Sequence, residues 1–88
     1  VVPADPDPDG DGNVSVTELA NNGTLGPDGY EWFSSPGDLT ITNSGGETLG
    51  TNKVILFVDG RLLISGNIPL TDGRGFFLAV VSGNTRVG

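Results

Sequence analysis

An internal repeat limits this chain more than any other feature. Laid over itself at an offset of 23 residues, it aligns 31–41 with 54–64 and then with 77–87. Gly37, Gly60 and Gly83 fall in register, and Ile41, Ile64 or Val87 follows each of them four residues later. Gly50 and Gly73 also match, so the repeats run over about 30–52, 53–75 and an incomplete 76–88. A period in the twenties with short β-branched runs and recurring turn glycines is the pattern of a parallel β-solenoid, in which each unit stacks like residues over like. The expected fold is all-β, with strands over 30–34, 38–42, 53–58, 61–65, 76–81 and 84–87. Leu39, Ile41, Leu62, Ile64 and Val87 form one expected interior ladder. A second runs through Trp32 or Phe33, Ile55 or Leu56, and Leu78 or Ala79.

A competing pattern is present. Val58-Asp59-Gly60-Arg61 between two apolar runs is a signal for a type I′ hairpin, which alone predicts an antiparallel meander closing into a small sandwich. Pro36-Gly37 and Ser82-Gly83 at the matching positions form such turns poorly, and the shared register favours the parallel arrangement. Residues 54–58 and 76–81 are unbroken apolar runs. A strand with one wet face alternates, so both faces of these two are expected to be covered. So few units also leave unpaired backbone at the ends of the stack. The expected partners are other copies of the chain or adjacent segments of a longer one.

Composition removes several classes of function. The chain has 88 residues with no Cys, His or Met. Disulfides, thiol catalysis and Cys-ligated zinc are excluded, as are the commonest general base and transition-metal ligand. A net charge of −7 argues against nucleic acid and anionic membranes. No apolar run approaches the roughly 18 residues of a membrane span. With no Met at position 1, the chain is expected to be a processed product or a segment of something longer. Charge is divided unevenly: residues 1–47 hold nine acidic groups and no basic one, whereas 48–88 hold two acidic and four basic. The expected organisation is an acidic head over 1–29 and a β-repeat body over 30–88.

The head carries the clearest chemistry. Residues 7–18 have acids at places 1, 3, 5 and 12 of a twelve-residue calcium loop: Asp7, Asp9, Asp11 and Glu18. Gly12 stands sixth, where the chain turns sharply and a Cβ is expected to obstruct. Asn13 offers its backbone carbonyl, Ser15 acts directly or through water, and Val14 is the apolar residue that ties the loop to a neighbour. A hard cation needs six to eight oxygens, several of them anionic, and this set supplies them. The expected metal is calcium, held by Asp7, Asp9, Asp11, Asn13, Ser15 and Glu18. Starting the loop at Asp5 instead loses both the apolar tie and the final acid.

These residues resemble the EF-hand-like calcium loops of bacterial extracellular proteins, including the dockerin and thrombospondin type 3 repeats. Pro3, Pro6 and Pro8 forbid the entering helix of a full EF-hand. An exiting helix is expected from about Ser15 to Asn21, stopped by Asn22-Gly23. One short helix implies a structural clip and not a sensor. In the body, the phrase from Val58 to Ile68 resembles β-helical repeats of uncharacterised bacterial surface proteins.

Three function classes compete. A carboxylate pair about 5–10 Å apart serves glycoside chemistry, and the body offers Glu31, Asp38, Glu47, Asp59 and Asp72. Asp38, Asp59 and Asp72 adjoin glycines, where Asp is an ordinary turn former, and no pair recurs at a useful spacing, so no enzyme is expected. Tyr30 and Trp32 point to one face of a strand and offer a platform for carbohydrate. The reading favoured is a calcium-stabilised, non-catalytic structural module of a bacterial surface or filament-forming protein, extracellular because millimolar calcium there keeps a weak loop filled. A carbohydrate-binding or adhesion module, or a fragment of a β-helix polysaccharide-active enzyme, is the alternative.

Overall fold

The computed structural model describes residues 1–71 and 73–88. The fold is all-β. Eight strands are β1 (Asn13–Ser15), β2 (Thr24–Leu25), β3 (Tyr30–Ser35), β4 (Leu39–Thr42), β5 (Lys53–Val58), β6 (Leu62–Ser65), β7 (Phe76–Val81) and β8 (Thr85–Val87). A short α-helix, α1 (Val16–Asn21), and a 3-10 turn at Pro27–Gly29 do not alter the class. Two four-stranded sheets have the orders β1-β4-β6-β8 and β2-β3-β5-β7.

From β3 onward the chain alternates between the sheets, and every pairing is parallel. Lys53 lies beside Tyr30 and Phe76, and Leu62 beside Leu39 and Thr85, so each partner is 23 residues away. The sequence period is thus the register of both sheets. The meander alternative fails here: residues 58–61 carry the chain from one sheet to the other, and β5 does not pair with β6. Among the described residues, the antiparallel pair is β2 with β3.

Alternation within each strand decides what is buried. Val54, Leu56 and Val58 are fully enclosed, with Phe33 beneath Leu56. The inward choice between Phe33 and Trp32, and between Leu56 and Ile55, is therefore settled. Leu39, Ile41 and Leu62 form the facing ladder, with Ile64 partly buried. Val87, expected in that ladder, is 69% exposed because no further strand lies on β8. Leu49, which the repeat pattern does not single out, closes the core from the segment between β4 and β5.

The acidic head joins this core rather than forming its own. Val14, Val16, Leu19 and Ala20 belong to the same cluster as Phe33, Leu39 and Ile41. β1 extends the second sheet through Val14 beside Ile41. The free edge of β3 is covered by β2 over Glu31 and Trp32, and by Ala4 at Phe33. The edge problem expected at both ends is therefore met at the head, while β7 and β8 end their sheets.

The outward faces differ sharply. On the second sheet they show Thr40, Thr42, Leu63, Ser65 and Arg86, a largely polar set. On the first sheet they form three rows: Tyr30, Lys53, Phe76; Trp32, Ile55, Leu78; and Ser34, Phe57, Val80. Phe57, Phe76, Leu78 and Val80 are exposed. The covered second face expected of the apolar runs is thus not supplied within the chain.

Close backbone approach explains the glycines at 60 and 83. Gly83 donates its N–H to the Gly60 carbonyl at 2.8 Å. A Cβ on Gly83 would sit 2.6 Å from that same oxygen, and one on Gly60 would sit 2.8 Å from the Asp38 backbone nitrogen. Gly37 has open space around it because no unit lies below. Gly83→Ala should therefore cost about 1–3 kcal/mol, whereas Gly37→Ala should stay within about 0.5 kcal/mol. Urea midpoints of the two variants check this; equal losses would refute the stacked column.

Candidate metal site

Local chemistry folds the loop before any ion is considered. Gly10 and Gly12 adopt φ of 72° and 80°, a left-handed conformation that glycine enters without penalty. Gly12 has no atom within 4 Å of a built Cβ, so conformation and not space is what demands glycine there. The Gly12 N–H donates to Asp7 Oδ2 at 2.6 Å, and the Asn13 N–H donates to Asp11 Oδ1 at 2.9 Å. The Gly12 carbonyl then accepts from the Thr40 N–H at 2.8 Å, fixing the loop to the second sheet.

Asp7, Asp9 and Asp11 bring carboxylate oxygens within 4.8 Å of one another. Asp7 Oδ1 is buried and has no hydrogen-bond partner. A buried carboxylate oxygen without a donor is costly; a cation held by the three acids would offset that cost. Those two observations together fit a hard divalent ion.

Glu18 is not gathered with the three aspartates. Its Oε1 accepts from the Ser15 N–H at 3.1 Å, and Ser15 Oγ accepts from the Glu18 N–H at 3.1 Å. The pair is a capping box that starts α1. Ser15 is thus occupied as a helix cap, and Asn13 points its side-chain amide at the Asp11 carbonyl at 3.3 Å. Val14, expected as the apolar tie, is buried and pairs with Ile41.

The body acids are spread through structural contacts. Asp38 Oδ1 accepts the Arg61 N–H at 2.8 Å and its Oδ2 meets the Arg61 guanidinium at 3.2 Å. The Arg61 backbone donor is the main reason that the Asp38 carboxyl is held below its usual range. Asp59 accepts from the Ser82 hydroxyl. Glu31 turns inward; desolvation raises its pKa, and its Oε2 is buried without a partner. Asp72 lies outside the described residues.

Two residues with structural roles carried no signal in the repeat alignment. Asn43 donates from Nδ2 to the carbonyls of Glu47 and Asn67, both at 2.9 Å, linking successive units. Glu47 accepts from the Thr17 N–H at 3.1 Å and from the Ser44 N–H at 2.8 Å. It therefore fastens the first turn of α1 to the body. Tertiary contact alone makes these residues informative. Tyr30 and Trp32 do share the outward face, as the alternation requires, and Trp32 stacks on Phe57 at 6.1 Å.

No protein-family model matches this chain, and neither a curated protein nor a solved structure matches it significantly.

The Ser44 and Thr17 donors pull the Glu47 pKa from its ordinary 4.5 to about 2. A depressed carboxylate stabilises the fold above the unfolded pKa and loses that contribution as pH falls through the folded one. Melting temperature should therefore drop between pH 4.5 and about 2. In chelator, Glu47→Gln should melt lower than the parent at neutral pH, with the gap closing towards the acid end. A constant gap across that range would remove Glu47 as its source.

Proposed function

We propose that the chain is a calcium-stabilised, non-catalytic structural module of a bacterial extracellular surface protein. In this reading the body is a short parallel β-solenoid, and the loop over 7–18 fastens its first turn. The observation that carries the proposal is that Asp7, which shares a carboxylate cluster with Asp9 and Asp11, also has a buried, unpartnered Oδ1. Those three acids would be the principal ligands. Glu18 would join by leaving the Ser15 N–H, with Asn13 contributing its carbonyl and Ser15 acting through water.

A clip and not a switch follows from what surrounds the loop. β1 is paired, and α1 is six residues long with Val16, Leu19 and Ala20 already buried. An ion would neutralise the acids without having to move either element. The 23-residue parallel register supports the solenoid, because each unit crosses both sheets before the next one stacks on it. The absence of catalysis is supported by the engagement of Asp38, Glu47 and Asp59 in backbone or side-chain contacts. Millimolar calcium outside cells would fill even a weak site, which favours that compartment.

Calorimetric titration with calcium tests the site. The parent chain should bind one ion, and Glu18→Gln, which keeps an acceptor for the cap, should weaken binding at least about tenfold by losing an anionic ligand. Calcium should raise the melting temperature by linkage, with strand content unchanged in circular dichroism. Binding that is unaffected in Glu18→Gln would overturn the twelve-residue assignment, and no binding at all would overturn the metal.

A further inference from the structure

We propose that the outward face of the β3-β5-β7 sheet is a self-association surface, on which a second copy of the chain packs antiparallel about a two-fold axis. Seven of the nine side chains in its three rows are apolar or aromatic. The equivalent face of the other sheet is mostly polar, so this is a property of one surface and not of the composition. Three strands of six residues cover roughly 14 Å by 20 Å at about 4.8 Å per strand and 3.3 Å per residue. The largest apolar patch of a typical monomer, about 300–600 Å², is often functional.

Charge selects the occupant. The outward column of β5 runs Lys53, Ile55, Phe57, and two residues further, just past the strand's end, comes the exposed Asp59. The column is therefore positive at one end, apolar in the middle and negative at the other. Among the described residues neither is in an ion pair, the pair there being Arg61 with Asp38, and Asp59 Oδ1 accepts only the neutral Ser82 hydroxyl at 3.0 Å. Lys53 instead donates to the Asp28 carbonyl at 3.3 Å and lies 5.2 Å from the Tyr30 ring centroid. A two-fold axis in the plane of the interface, perpendicular to the strands and crossing β5 between Ile55 and Phe57, brings Lys53 of each copy over Asp59 of the other. The same axis sets Ile55 against Phe57. An axis along the strands would instead set Lys53 against Lys53.

Such a pairing is the aligned packing of two sheets, with strands within about 30° of each other. The face is smaller than the roughly 800 Å² per partner of a standard stable interface. The dimer is accordingly weak, forming in the high micromolar range. Carbohydrate fits the face less well, because aliphatic Ile55, Leu78 and Val80 alternate with the aromatics, and a sugar site needs several fixed polar groups.

Sedimentation velocity on the 88-residue chain, in calcium and low salt, tests this up to about 1 mM, well above the expected dissociation constant. A monomer–dimer equilibrium is expected. Phe57→Lys should abolish it without lowering the melting temperature, since Phe57 stands outside the core. Lys53→Asp and Asp59→Lys should each weaken it at least tenfold, and the double variant should restore it. A monomer throughout overturns the proposal, as does a dimer indifferent to Phe57→Lys. Failure of the double variant to rescue overturns the antiparallel two-fold. A chain that stays monomeric but is retained on a polysaccharide matrix through Phe57 assigns the face to sugar instead. None of these readings depends on calcium binding, so failure of the metal site leaves the test intact.

Discussion

Parallel pairing at a separation of 23 residues is the constraint from which the remaining features follow. Because each strand of the body is hydrogen-bonded to the equivalent strand of the next unit, a residue inside one unit lies beside its counterpart inside the next. Phe33, Leu56 and Ala79 are one such line, and Leu39, Leu62 and Thr85 another. Burial fades along both lines towards β7 and β8, where strands lack a neighbour on one side. The core therefore lies towards the head of the stack, and its best-buried members are in β1, α1 and the first two units.

That location gives the acidic segment its physical role. A parallel stack has no natural beginning, since its first strand exposes a full edge. Here β2, Ala4 and β1 supply partners for β3 and β4, and α1 contributes Leu19 and Ala20 to the interior. The same short segment carries the clustered aspartates. Asp7 spends one oxygen holding Gly12 in its turn and leaves the other buried and unpaired. The turn that lets β1 reach β4 is thus built from the residues proposed to take the ion, so filling the site would reinforce the cap itself.

Much of the fold was legible in the sequence because stacking makes it periodic. The strand bounds, the register and the glycine column all repeat at 23, and a repeated feature can be read without knowing its contacts. What escaped does not repeat. Leu49 fills a gap between sheets, Asn43 and Glu47 bridge segments through specific carbonyls and N–H groups, and β2 pairs antiparallel. Gly66 and Leu70, one period after Asn43 and Glu47, have no side chain able to make such hydrogen bonds. In the loop, the acids at places 1, 3 and 5 were legible as a cluster because they are close in the chain. Glu18 was legible only as spacing, and its use as half of a capping box follows from how α1 begins. The reason given for Gly12 was wrong in kind: the position has room for a Cβ and needs glycine for its backbone angle.

The distribution of charge follows from the same geometry. Parallel registry sets residues one period apart at about 4.8 Å between backbones, so a like charge repeated at that spacing would stack on itself and repel. From residue 30 onward, no two positions 23 apart carry the same sign of charge. Where two charges do coincide, at Asp38 and Arg61, they are opposite and form an ion pair. The stack thus limits how much charge its body holds, and the acids of Asp7, Asp9 and Asp11 lie in the head, where no repeat unit stacks on them. Like-charge repulsion among those three acids can be relieved by a cation, whereas in the stacked body it would recur with each added unit. Separation of an acidic head from a nearly neutral body is therefore what parallel stacking requires of a chain that also gathers three carboxylates in one loop.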